Sequence, residues 1–271
     1  MGRGKSPRLI QIVQAIFSPR FDRPVQDSTM RTALSARVPM PQHGPVYCET
    51  PAILDAGFPV EPWNAYSSLV IVFFGLASLV LVIRRAGQAY ELYALCALLI
   101  FNGIGSVLWH GLRARWALAF DVFPALVFLV CTMFLWSRRI FSLWKSIAVI
   151  VVFFLLLELQ RLLGLDLTRI GIWVALAPAV IVVALWLIFG TAALSRKAAR
   201  FGSLSLAFAL AGLAFRTFDR ATCAYLPFGS HFLWHILLSF AAFLGVLTLI
   251  VLTELKASGA GNDRQDVAVA A

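Results

Sequence analysis

The stretch Gly105-Ser106-Val107-Leu108-Trp109-His110, read together with Asp121 and with His231-Phe232-Leu233-Trp234-His235, decides how this chain is organised. His110 ends an apolar run, and His231 and His235 begin another. Ionisable side chains in apolar runs of this length are costly in lipid, and they mark function by default. Spacing of i, i+4 sets His231 and His235 on one helical face, about 6 Å apart, which suits two ligands of one ion. Ser106 lies one turn before His110 on the same face.

Outward from these residues the chain is almost uniformly apolar. Of its 271 residues 61% are hydrophobic and 13% are charged, and the mean hydropathy is +0.85. A soluble domain carries about 25% charged residues, so this chain has too little polar surface to cover a water-soluble globule. Lipid must be its solvent, and helices satisfy the backbone there. Seven segments near 65–84, 90–111, 117–136, 142–163, 170–191, 202–218 and 231–253 predict an all-α integral membrane protein, a seven-transmembrane helix bundle. The sixth is the shortest. Residues 1–45 read as a basic N-terminal tail, disordered or surface-lying. Its Leu9–Phe17 stretch is too short to span, and no cleavage site follows it. Residues 46–255 form the membrane domain, and 256–271 a disordered C-terminal tail. There is no internal repeat.

The net charge of +10 gathers in the tail and short loops, as membrane flanks require. No segment joins a basic cluster to a soluble fold, which argues against nucleic acid as a partner. With the N-terminus outside, the inner loops and C-tail hold ten basic residues, including Arg84, Arg85, Arg138 and Arg139, against six in the outer loops. That favours N-out, C-in, although seven further basic residues in the N-tail oppose it. The N-terminus and polar cluster are then expected on the periplasmic or lumenal side, in a bacterium the outer side of the inner membrane.

Helix counting places the polar residues relative to one another. The second helix ends on the side where the third and the seventh begin. His110, Asp121, His231 and His235 therefore share one membrane face in either orientation, with Asp219 and the stretch Tyr47–Asn64. Three imidazoles with an open fourth position describe a catalytic zinc site. Three His also suit iron or copper, but no Met or Cys stands near them to make a soft or redox-tuned site. Asp121 is placed to accept a proton or to orient an imidazole, and Ser106 to donate to an oxyanion. Asp219 beside Arg220 has the spacing of an interfacial ion pair, and Glu158 with Arg161 that of an i, i+3 pair. Trp63, Trp109, Trp116, Trp144, Trp173 and Trp234 are expected mostly in aromatic belts.

At these residues the chain resembles the alkaline ceramidase family, within a wider superfamily of membrane hydrolases that includes adiponectin-receptor-like proteins. The matching pattern is Ser106-x3-His110, Asp121 eleven residues on, and His231-x3-His235. Further matches are Tyr47-Cys48-Glu49, Glu61-Pro62-Trp63-Asn64 with Ser67, and Phe218-Asp219 followed by Cys223. The resemblance runs from about 46 to 253. It implies zinc on His110, His231 and His235, catalytic roles for Asp121 and Ser106, and hydrolysis of the ceramide amide to a sphingoid base and a fatty acid. It implies calcium at Glu49 and Glu61, yet Val46 and Pro51 replace two of the family's calcium-binding positions, with Asp55 a substitute oxygen. Cys48 and Cys223 match a disulfide pair of the family.

The first expectation is a zinc-dependent amidase whose substrate is ceramide or a related N-acyl lipid, with no obligate protein partner implied. The alternative is a metal-containing receptor or sensor of the adiponectin-receptor-like type, without amidase activity. A proton-relay transporter fits poorly, because acids and histidines cluster at one end rather than threading the membrane. A retinal protein would need a Lys within the seventh helix, and none precedes Lys256.

Overall fold

The computed structural model describes residues 44–52, 57–163 and 171–269. Seven helices follow one another: α1 (Pro62–Arg85), α2 (Tyr90–Leu112), α3 (Arg115–Ile140), α4 (Leu143–Leu162), α5 (Ile172–Ala192), α6 (Arg196–Thr222) and α7 (His231–Val269). Each contains a stretch long and apolar enough to cross a membrane, that of α7 being His231–Ser258. The N-tail up to residue 43 and Asp55 lie outside the described residues. α7 continues past Lys256, where the polarity change had placed the start of the tail.

α7 runs sixteen residues past its expected end at 253, and α6 begins six residues before 202. Arg196, Lys197 and Arg200 depress the hydropathy of its first turns, yet long basic side chains keep their stems in apolar surroundings and their heads in water. Ser195 fixes the start by accepting the Ala198 N–H at 3.2 Å, an N-cap.

Two helices form the inside of the bundle. The membrane windows of α7 and α2 are 56% and 50% buried, against 17–28% for the other five. The outer helices instead turn Phe73, Phe123, Phe154 and Phe189 outward, as lipid-facing surface requires. An apolar core of Val82, Leu92, Leu95, Phe153, Val183, Leu187 and Leu249 fills the half away from the histidines. At that end Arg85 pairs with Glu254 at 2.7 Å, and Arg139 pairs with Glu91.

At the other end, small residues let the helices approach closely. A Cβ at Gly105 would collide with the backbone of Phe120 and Asp121, so α2 and α3 touch there main chain to main chain. The Asn102 amide donates to the Asp121 carbonyl at 2.5 Å, fixing the register of the same contact.

Candidate metal centre

The segment before α1 builds one wall of the site. The N–H groups of Val60 and Glu61 donate to the carbonyls of Gly111 and His110, at 3.1 and 2.9 Å. These are terminal carbonyls of α2 with no partner inside their own helix. Glu61 is thereby held against His110. Pro62 opens α1, where its missing N–H costs nothing. Glu49 accepts the N–H groups of Trp63 and Asn64 at 2.6 and 3.0 Å, and burial holds its carboxyl above the usual range against those two bonds.

His110 from α2 and His231 and His235 from α7 meet in the interior. All three are buried, with candidate ligand atoms within 4.8 Å of one another. Their hydrogen bonds settle two tautomers. The Glu61 carboxylate lies 2.5 Å from His110 Nδ1 and can only accept, so Nδ1 carries the proton. In the neutral ring His110 Nε2 is then a bare lone pair, and it is buried without a partner. The Ser67 hydroxyl donates to the Asn64 carbonyl at 3.0 Å and lies 2.8 Å from His235 Nδ1. Its single proton is spent, so His235 donates through Nδ1 and keeps Nε2 free. Carboxylate or hydroxyl partners on the far nitrogen are how proteins orient metal-binding imidazoles. His231 Nδ1 is likewise buried and unpartnered. Lone pairs buried without donors are costly to leave so, and three imidazoles placed this close can bind a metal ion.

Asp219 anchors His231. It is 1% exposed. Its Oδ1 accepts the N–H groups of Ser230 and His231 at 2.7 and 2.8 Å, and its Oδ2 that of Cys48 at 2.9 Å. The ion-pair reading with Arg220 misses this: the carboxylate satisfies the orphan N–H groups at the start of α7. Glu158 and Arg161, in contrast, do form their i, i+3 pair. Cys48 and Cys223 are joined in a disulfide, with Cα atoms 5.3 Å apart, so the stretch 44–52 is tied to the end of α6. Tyr47 from that stretch stacks on the His231 ring, centroids 3.7 Å apart. Burial pushes its hydroxyl up to about 12 against the opposing charge of Arg216, so it stays protonated and accepts from Arg216 at 3.2 Å.

Asp121 and Ser106 face the same space. Ser106 lines one cavity with Asp121, and its hydroxyl lies 3.0 Å from Ser68 Oγ. Asp121, Ser106, His231, His235, Tyr47 and Arg216 line one cavity of about 180 Å³. Ile71, Asn102, Ala125, Trp173, Trp234 and Leu238 line both it and a second, apolar cavity of about 190 Å³ running between α3, α5, α6 and α7 toward Trp136. Trp63, Trp116 and Trp144 are exposed, as belt residues are, but Trp109 and Trp234 are buried. Those two are spent on the site's walls, which hydropathy cannot distinguish from a belt.

The two expected calcium residues lie close to this centre with their oxygens engaged. Glu61 is bonded by His110 and by Thr50 Oγ1 at 2.5 Å, with the Arg113 guanidinium 3.3 Å away, and Glu49 caps α1. Ser67, Tyr47 and Arg216 were not singled out as site residues by spacing. Ser67 lay within a matched motif, and a basic residue six before the end of α6 was the only signal for Arg216. A family described as Ceramidase matches residues 47–267, which span the whole centre. No curated protein matches the chain.

Proposed function

The chain belongs to the ceramidase family, and from that premise we propose that it is a zinc-dependent amidase of the membrane, hydrolysing ceramide or a related N-acyl lipid. Membership implies a hydrolase. The observation that carries the finer reading is the meeting of three buried imidazoles, two of them oriented by Glu61 and Ser67, beside a cavity that His231 and His235 line together with the Asp121 carboxylate and the Ser106 hydroxyl.

His110, His231 and His235 would hold the ion. Zinc bound by three imidazoles supplies Lewis acidity, making water nucleophilic near neutral pH and polarising a carbonyl. Asp121 takes the proton of the attacking water on its carboxylate and passes it to the amide nitrogen as the C–N bond breaks. Ser106 donates to the carbonyl oxygen as charge grows there. A new C–O bond replaces C–N, and the products are a carboxylate and an amine. The adjoining apolar cavity receives an alkyl chain while the amide stays at the membrane face. The proposal does not extend to calcium, because the oxygens of Glu49 and Glu61 already have protein partners.

We place the site on the periplasmic or lumenal side. The loop charges support that side, and so does the disulfide, since such bonds persist in oxidising compartments. Fatty-acid release from N-acyl sphingoid lipids by the purified protein tests the function. Asp121→Asn is expected to keep its metal and lose about 100- to 10,000-fold in rate, the range for a general base. A wild type that holds zinc and releases no fatty acid from any N-acyl lipid would favour the sensor alternative.

A further inference from the structure

The αL backbone at Arg113 is the one positive φ at a non-glycine position among the described residues. Arg113 follows the last turn of α2 with φ 53° and ψ 31°, its N–H bonded to the Trp109 carbonyl. Glycine is the usual residue at this kind of helix end, and side chains in this conformation cluster where function holds them. The side chain explains its retention. It folds back over the Trp109 ring, 4.1 Å from guanidinium carbon to centroid. Nη2 donates to the Pro45 carbonyl at 2.8 Å, and Nη1 lies 3.3 Å from Glu61 Oε1. The residue is 3% exposed, and Glu61 is fully buried.

We infer that Arg113 is a positioning residue for the metal centre: its guanidinium balances the buried Glu61 carboxylate, so that the carboxylate can hold the Nδ1–H of His110 and turn Nε2 toward the ion. The argument is one of charge. Ionised carboxylates stay buried only with a compensating cation and satisfied oxygens. A metal-bound His110 is neutral and leaves Glu61 in need of one, and among the described residues Arg113 is the Lys or Arg that pairs with it. A chain Arg113–Glu61–His110 results, with the last member facing the ion. Because the cation comes from within the chain, the centre requires no second metal ion beside Glu61.

This inference rests on the zinc reading, and its test separates the two. The measurements are zinc affinity by chelator competition and the visible spectrum of the cobalt(II)-substituted protein, for wild type, Arg113→Gly and Arg113→Lys. Glycine suits the backbone at this position and removes the guanidinium. Loss of a group behind a metal ligand typically weakens metal binding about 10- to 100-fold. Arg113→Gly is expected to show that loss and an altered cobalt spectrum while helix content is kept, and Arg113→Lys to recover part of both. Zinc retention by the wild type in calcium-free buffer is expected to be unchanged when calcium is added. Wild-type affinity and spectrum in Arg113→Gly, or a lysine variant no better than the glycine one, would overturn the inference. So would a wild type that holds zinc only with calcium. Should Arg113→Gly fail to fold, the lysine variant and the calcium titration decide alone. A wild type that binds no transition metal contradicts the zinc reading, whereas one that binds it with Arg113→Gly unaffected contradicts only the inference drawn from Arg113.

Discussion

Hydrogen-bond partners decide which nitrogen each imidazole turns inward, and those partners come from residues whose own chemistry is ordinary. Ser67 and Glu61 matter because each occupies the Nδ1 side of one histidine. The histidines themselves were legible in the sequence, because charge-capable residues stand out in apolar runs. Ser67 was not, because a serine in a membrane helix usually bonds its own backbone carbonyls. The role of Asp219 is hidden for a related reason. Its neighbour Arg220 suggested a pair, but its partners are three N–H groups brought from Cys48, Ser230 and His231. Asp219→Ala strands these donors in the interior. With about 1–3 kcal/mol for each unsatisfied buried group, the variant is expected to melt several degrees lower and to bind metal more weakly. Thermal unfolding in detergent checks the first, and chelator competition the second.

At the scale of elements, the close contact of α2 with α3 sets the distance between Ser106 and Asp121. Gly105 has no Cβ to separate them. The seven helices are legible in the sequence because each carries a long apolar run, and their ends fall within a few residues of the expected ones except in α6 and at the end of α7. In α6 the basic first turns hide helix from a hydropathy window, while the Ser195 cap reveals it. Gly105→Ala is expected to push the α3 backbone away, leaving the histidines in place. A shift of about 1 Å near reacting groups can cost about 100-fold in rate, so hydrolysis should fall by that order with metal content unchanged. Metal analysis beside a rate measurement separates the two effects.

At the scale of the whole molecule, one end is packed with aliphatic core and the other with the polar centre, and the disulfide closes the polar end. Its partners are 175 residues apart in sequence, a separation that periodicity cannot bridge, so only the family resemblance pointed to the pair. Cys48→Ser with Cys223→Ser is expected to cost about 2–5 kcal/mol and to loosen Tyr47 from His231. Lower melting and weaker metal retention would show it. The helix count alone brings residues distant in sequence to one face. A reporter fused to the C-terminus is expected to be active on the inner side of the membrane, opposite the metal centre.

If three histidines hold a zinc that amide hydrolysis requires, metal content and hydrolysis must be lost together. The most direct test is metal analysis of the purified protein coupled to hydrolysis of N-acyl sphingoid lipids, for the wild type and for His231→Ala. About one zinc per wild-type chain is expected, as a three-histidine site implies, with amide hydrolysis lost on chelation and restored by zinc. Neither stoichiometric zinc nor hydrolysis is expected in His231→Ala. Undiminished hydrolysis by a metal-free protein, or by His231→Ala, would contradict that requirement.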